Sequence, residues 1–175
     1  GGDPGRFGVS VAHFHAANAR IAQDWPATLL ATSTHDTKRS EGVRVRISLL
    51  SEIPNDWAGA VTRWAAMNEP HKRGGLPDRN AEYLLYQTLV GAWPVSTDRV
   101  VAYMEKATKE AKTHTSWTTP DPAYDAAVRD FATGILGDTW FVADLLSFLD
   151  RCRVGEAGRV NPRAQTALWL TRRGS

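Results

Sequence analysis

The densest run of groups able to do chemistry is Thr32-Ser33-Thr34-His35-Asp36-Thr37-Lys38-Arg39-Ser40-Glu41. The carboxylate Asp36 stands among His35, Lys38 and Arg39, and nearby cations favour the ionised form of an acid. An ionised carboxylate held beside a sugar ring can stabilise positive charge developing on that ring. The same residues also suit a plainer role, in which Asp36 or Thr37 caps the helix that follows and Glu41 is favourable in its first turn. Local sequence alone leaves both readings open. His13-Phe14-His15 is weaker, because an i, i+2 pair on a helix points two ways and makes a poor metal clamp. With the His35-Asp36 dyad it raises a rival, a metal-dependent phosphohydrolase, but that chemistry wants the dyad within a helix and here it follows a predicted strand.

The elements that must position these residues are mostly helical. Ser10 can cap a helix through about Gln23, with Val11 and Phe14 on its apolar side, and Trp25-Pro26 ends it. Ala27-Thr28-Leu29-Leu30-Ala31 is short, apolar and bounded by turn formers, which predicts a strand buried on both faces. Val43, Ile47 and Leu50 form a helical stripe closed by Pro54, and Asn55 or Asp56 can cap a helix carrying Trp57, Val61 and Trp64. His71 to Asp78 reads as a Gly-rich loop. Further helices are predicted from Asn80 to about Val90, from a Thr97 cap, from Asp121-Pro122 to Gly137, through Phe141, Leu145 and Phe148, and from Asn161-Pro162. Trp57, Trp64, Trp93, Trp140 and Trp169 are assigned to packing, and Arg151 to Arg153 with Arg172-Arg173 to solvated charge. A strand buried on both faces needs neighbours for its backbone groups. The chain supplies none, so it is expected to be incomplete.

Composition narrows the function classes. With 21 Lys and Arg against 19 Asp and Glu the formal charge is only +2, scattered along 175 residues, so no nucleic-acid groove is expected. The single Cys152 forms no internal disulfide, and no apolar run is long enough for a membrane span or a signal peptide core. A cytoplasmic protein is the default expectation.

Four strings carry a family resemblance: GGDPGRFGVS at Gly1 to Ser10, STHDTKRSE at Ser33 to Glu41, EYLLYQTLVGAWP at Glu82 to Pro94 and EAKTHTSW at Glu110 to Trp117. In this order they resemble the maltooligosyl trehalose synthases of the α-amylase superfamily (glycoside hydrolase family 13). The resemblance implies a mainly α chain, made of one strand, the seventh, of an incomplete (β/α)8 barrel and a helical insertion. Residues 1–42 would be a fragment of the catalytic barrel and residues 43–175 the insertion. It further implies that Asp36 is the transition-state-stabilising carboxylate and that His35, Lys38, Arg39 and Trp117 bind substrate, Trp117 by stacking. Glu110 and Lys112 would lie towards the reducing-end sugar.

The implied reaction is an intramolecular transglycosylation that converts the reducing-end α-1,4 bond of a maltooligosaccharide into an α,α-1,1 bond. It proceeds through a covalent glycosyl intermediate from which water must be kept, and requires no metal or organic cofactor. The implied partners are a maltooligosaccharide and the rest of the barrel, with no nucleic acid or membrane. Such a site needs a nucleophile and an acid/base carboxylate about 5 Å apart. In the family both come from strands that precede Gly1, so the isolated chain is expected to be inactive. A catalytically silent module that binds glycans or a partner is the competing reading. Gly42 stands where the family usually has Asp.

Overall fold

The computed structural model describes residue 5 and residues 8–29, 31, 33–34 and 36–154. His35, Leu30, Thr32, Trp169, Arg172-Arg173 and the helix expected from Asn161-Pro162 lie outside the described residues. Compactness divides the chain between Thr37 and Lys38, and a helix from Glu41 to Ser48 spans position 42.

In the first unit, helix α1 (Val11–Asp24) begins where Ser10 accepts a hydrogen bond from the His13 N–H at 3.2 Å. Trp25 then closes it, its N–H bonding Ile21 O. No residue of α1 is buried. Ala27 lies in a turn, Thr28, Leu29 and Ala31 carry no regular structure, and Leu29 is 97% exposed. The strand expected over 27–31 is thus unformed among the described residues, which hold no second strand to pair with it. An apolar run takes up a ladder only when neighbours satisfy its backbone groups.

The second unit holds α2 (Glu41–Ser48), which tightens into a 3-10 turn at Leu49–Ser51, then α3 (Pro54–Asn68) and a 3-10 turn at Glu69–His71. It continues with α4 (Arg79–Ala92), α5 (Thr97–Ala111), α6 (Pro122–Gly137) and α7 (Thr139–Val154). Between α3 and α4, Gly74 and Gly75 both have positive φ, at 59° and 78°, and Arg73 and Leu76 exchange backbone hydrogen bonds around them. Two consecutive left-handed residues are a backbone state that glycine adopts without a Cβ penalty. The helices bury stripes at helical spacing: Val100, Met104 and Thr108 on α5, and Tyr124, Val128, Phe131 and Ile135 on α6. Here α3 packs on α4 and α7, α5 on α6, α6 on α7, and α2 on α4.

The core centres on Trp64, which is fully buried. Its ring meets Tyr86 and Phe148 edge-on at 5.4 Å and Trp57 and Phe141 at 5.8 Å. Its Nε1–H donates to Asp144 Oδ2 at 2.6 Å, and Arg63 Nη2 donates to the same oxygen at 2.7 Å. Burial pushes the Asp144 carboxyl up, but these two donors outweigh it and hold the group below its ordinary range. A second polar group is enclosed nearby. Lys72 Nζ lies 2.9 Å from Glu82 Oε2, Tyr86 Oη donates to Glu82 Oε1 at 2.9 Å, and Asn68 Nδ2 donates to Tyr86 Oη at 3.0 Å. Cys152 is also buried, and desolvation pushes its thiol up to about 11.

Trp57 and Trp64 are in the core and Trp93 packs against it half-buried, as expected from sequence, while Arg151 is exposed. Trp140 departs from expectation and is 80% exposed. It precedes Phe141, and successive helical residues point about 100° apart. The side chain turned inward there is Phe141.

The seat of α2 on α4 depends on Gly91. A Cβ at that position would lie 2.8 Å from Val43 Cγ1 and 3.0 Å from Ile47 Cγ1. Alanine should gain about 1 kcal/mol of helix propensity, but both neighbours are β-branched and stiff at χ1, and overpacking costs about 1–3 kcal/mol. Gly91→Ala is therefore expected to destabilise the chain in urea unfolding. The Gly91→Ala/Val43→Ala double variant should lose less than the sum of the two singles.

Candidate functional site

In the first unit, the segment that follows α1 closes on itself at Thr34 and Thr37. The Thr37 N–H bonds Thr34 O at 3.0 Å, and the Thr34 N–H bonds Thr37 Oγ1 at 2.9 Å. Asp36 sits in this turn and is exposed. The plainer role suggested by the sequence falls elsewhere, since α2 begins at Glu41 and its N-cap position is Ser40, not Asp36 or Thr37. Glu41 is in the first turn of α2 as expected.

Lys38 and Arg39 of this signature belong to the second unit. Lys38 Nζ donates to Glu110 Oε2 at 2.7 Å, across 72 residues of sequence. That hydrogen bond holds the Glu110 carboxyl below its ordinary range. Half-buried Arg39 donates through Nη2 to Thr88 Oγ1 at 3.4 Å, and Thr88 in turn donates to Leu84 O at 2.7 Å. Arg46 donates from α2 to Trp93 O at 2.8 Å and Gly91 O at 3.3 Å, closing the carbonyl end of α4. Three of the four strings quoted above thus meet around Lys38 and Arg39.

The segment after α5 turns sharply. Lys112, its C-cap, is left-handed with φ 58°. Thr115 is buried and its Oγ1 accepts from the Asp121 N–H at 3.0 Å, while Trp117 is 60% exposed. Lys109 Nζ stands 4.7 Å from the centroid of the Trp117 ring. His114 stacks on Tyr124 at 4.6 Å. Chemically, an exposed indole offers a flat apolar face, and an ammonium beside a helix end can donate to hydroxyl oxygens. Among the described residues no three His, Cys, Asp or Glu side chains converge on a point that a metal ion could occupy. No single helix among them is long and apolar enough to cross a membrane.

No family model matches the chain. A Mycobacterium tuberculosis protein named as a maltooligosyl trehalose synthase is 39% identical over 143 residues, which are 78% of this chain and 18% of that protein. The structure of maltooligosyltrehalose synthase from Arthrobacter ramosus matches with a TM-score of 0.71 at 36% identity, over 87% of this chain and 19% of that one. This chain is similar to one stretch of the maltooligosyl trehalose synthases. A glycosyltrehalose synthase labelled DSM5389 gives a TM-score of 0.69 at 35% identity, over 87% of this chain and 20% of that one. The chain thus spans about a fifth of the length of these synthases.

Sequence reasoning on the synthase signature missed the partners of its residues. Nothing in the chain announces that Lys38 pairs with Glu110 or Arg39 with Thr88. Lys109 was within reach, because Glu105 and Lys109 have the i, i+4 spacing of a helical ion pair and their side chains meet at 2.6 Å. Asp78 was missed as well. Its Oδ1 accepts from the N–H groups of Asn80 and Ala81, capping α4, while its Oδ2 accepts from Tyr124 Oη at 2.5 Å and lies 3.3 Å from His114 Nε2.

Burial pushes the Asp78 carboxyl up, but the Tyr124 hydrogen bond, the two cap amides and His114 outweigh this and hold it below the ordinary 3.8. A depressed carboxylate contributes stability that is fully present above its unfolded value and lost as pH falls through the lower folded value. In Asp78→Asn the side-chain carbonyl can still cap α4, but the amide cannot accept the Tyr124 O–H. The variant is expected to lose about 1–3 kcal/mol at neutral pH. Urea midpoints for parent and variant should differ most at pH 7 and 5, and converge as the pH drops below about 3.8.

Proposed function

We propose that this chain is part of an enzyme that rearranges the reducing-end α-1,4 linkage of a maltooligosaccharide to an α,α-1,1 linkage, forming a maltooligosyl trehalose. The observation that carries the reading is the similarity to maltooligosyl trehalose synthases at 39% identity over 143 residues. On this reading residues 1–42 are part of a catalytic (β/α)8 barrel of the α-amylase superfamily, in which 27–31 pairs as the seventh strand once the neighbouring strands supply partners for its backbone. Residues 43–175 are the inserted helical region. The partners are the maltooligosaccharide and the rest of the barrel.

Asp36 is proposed to be one of three carboxylates. Its carboxylate steadies the oxocarbenium-like charge, while a nucleophile forms the glycosyl intermediate and an acid protonates the departing oxygen. The released glucose then attacks through its anomeric hydroxyl in place of water, so the linkage changes without net hydrolysis. Lys38, Arg39, His35 and Trp117 are proposed to hold the sugars. The exposure of Asp36, Lys38 and Trp117 supports this reading.

The test is Asp36→Asn in the complete enzyme that carries this chain, following loss of reducing ends from maltopentaose. The variant keeps the shape and removes the charge. Its rate should fall on the order of a thousandfold, as when one strong electrostatic partner of a transition state is lost, with an unfolding midpoint close to the parent's. The 175-residue chain alone should leave the reducing ends intact. An undiminished rate in the variant, or reducing-end loss with the chain alone, would overturn the assignment.

A further inference from the structure

Trp117 and its neighbour Lys109 form an arrangement that the proposed reaction does not by itself explain. A tryptophan left 60% exposed is a large apolar surface presented to solvent. Side chains of this kind normally swing between rotamers, and a platform that swings binds poorly, because affinity falls by the fraction of time the competent state is occupied. Here one face of the indole rests on a cation, with Lys109 Nζ 4.7 Å from the ring centroid. That cation is itself held. Its side chain is only 12% exposed, and Nζ lies 2.6 Å from Glu105 Oε1 on α5 and 3.5 Å from Asp125 Oδ2 on α6. Two carboxylates on two packed helices therefore fix the ammonium, and the ammonium in turn fixes the plane of the indole.

We propose that Lys109 is a positioning residue for Trp117: it closes one face of the ring and leaves the other as a one-sided platform for the apolar face of a single glucosyl ring. The inference rests on the reading of Trp117 as a sugar-stacking residue and adds to it the group that sets its orientation. Glu105 and Asp125 act one step further back, by holding Lys109. A ring with both faces open can be sandwiched between two sugars, whereas this one can accept a single ring from one side.

The test uses the 175-residue chain labelled with 15N, in which the Trp117 indole resonance is identified by its loss in Trp117→Phe. Lys109→Met keeps most of the stem and removes the charge, and Lys109→Arg keeps a cation able to stack. Without sugar, Lys109→Met should move the Trp117 indole resonance and leave those of Trp57 and Trp64 in place, and Lys109→Arg should return it towards the parental position. In a maltotriose titration followed at the same resonance, Lys109→Met should bind roughly two- to fivefold more weakly than the parent, the loss expected when a cation–π contact to a partly exposed indole no longer selects one orientation. A Trp117 resonance in Lys109→Met that coincides with the parental one overturns the proposal. So does tighter binding in that variant, which would mean that Lys109 competes with the sugar. If Lys109→Met moves the indole but maltotriose perturbs Trp117 in none of the proteins, the positioning role stands and the stacking role of Trp117 falls.

Discussion

An indole N–H removed completely from water must find an acceptor, and the acceptor found by Trp64 governs the helices around it. The bond from Trp64 Nε1 to Asp144 Oδ2 ties α3 to α7 at a fixed register, because Arg63 on the same turn of α3 binds that carboxylate from its solvent side. With the indole fixed, four aromatic rings can meet it at an angle, and edge-to-face pairs hold a preferred geometry that aliphatic contacts lack. Tyr86 belongs to this cluster and also to the buried chain of Asn68, Glu82 and Lys72, so the aromatic core and the enclosed charges share one residue. An enclosed ion pair is costly to form and costlier to break by halves. Its position therefore restricts which arrangements of α3, α4 and the connecting turn are acceptable.

Upon this frame the second unit arranges its signature residues. The backbone of α2 comes close to α4 because Gly91 presents no Cβ, and the close seat lets Arg46 reach the last carbonyls of α4. The N-terminal side of α2 then presents Arg39 to Thr88 and Lys38 to Glu110. Exposed ion pairs of that kind contribute little to stability. Their effect is to set direction, since a lysine paired at 2.7 Å projects its stem along one line instead of many.

The helical character of the second unit was legible because its apolar stripes repeat at helical spacing. Asp121-Pro122 marks the start of α6 correctly, and Gly137 its end. Other boundaries slid by a residue or two: α4 is capped by Asp78 instead of opening at Asn80, and the cap of α5 is Ser96 rather than Thr97. Both slips have one cause, a run of adjacent polar residues in which several can cap equally well. The strand reading of 27–31 rested on an apolar run whose partners were to come from elsewhere, and hydrophobicity alone does not make a ladder. The size of Trp140 suggests burial, but its angular position beside Phe141 turns it outward. The signature residues were visible as types, yet their partners lie 49 and 72 positions away, a separation that no local pattern encodes.

The chain's lone thiol has a practical consequence. Cys152 sits on the inner side of α7, and its proton is held to about 11, so near neutral pH almost none of it is the reactive thiolate. A thiol-labelling reagent must wait until α7 lifts away and water reaches the sulfur. The labelling rate then follows the population of that opened form. The molecule thus carries its own reporter for fraying of α7, and varying the denaturant would separate local detachment of that helix from collapse of the whole core.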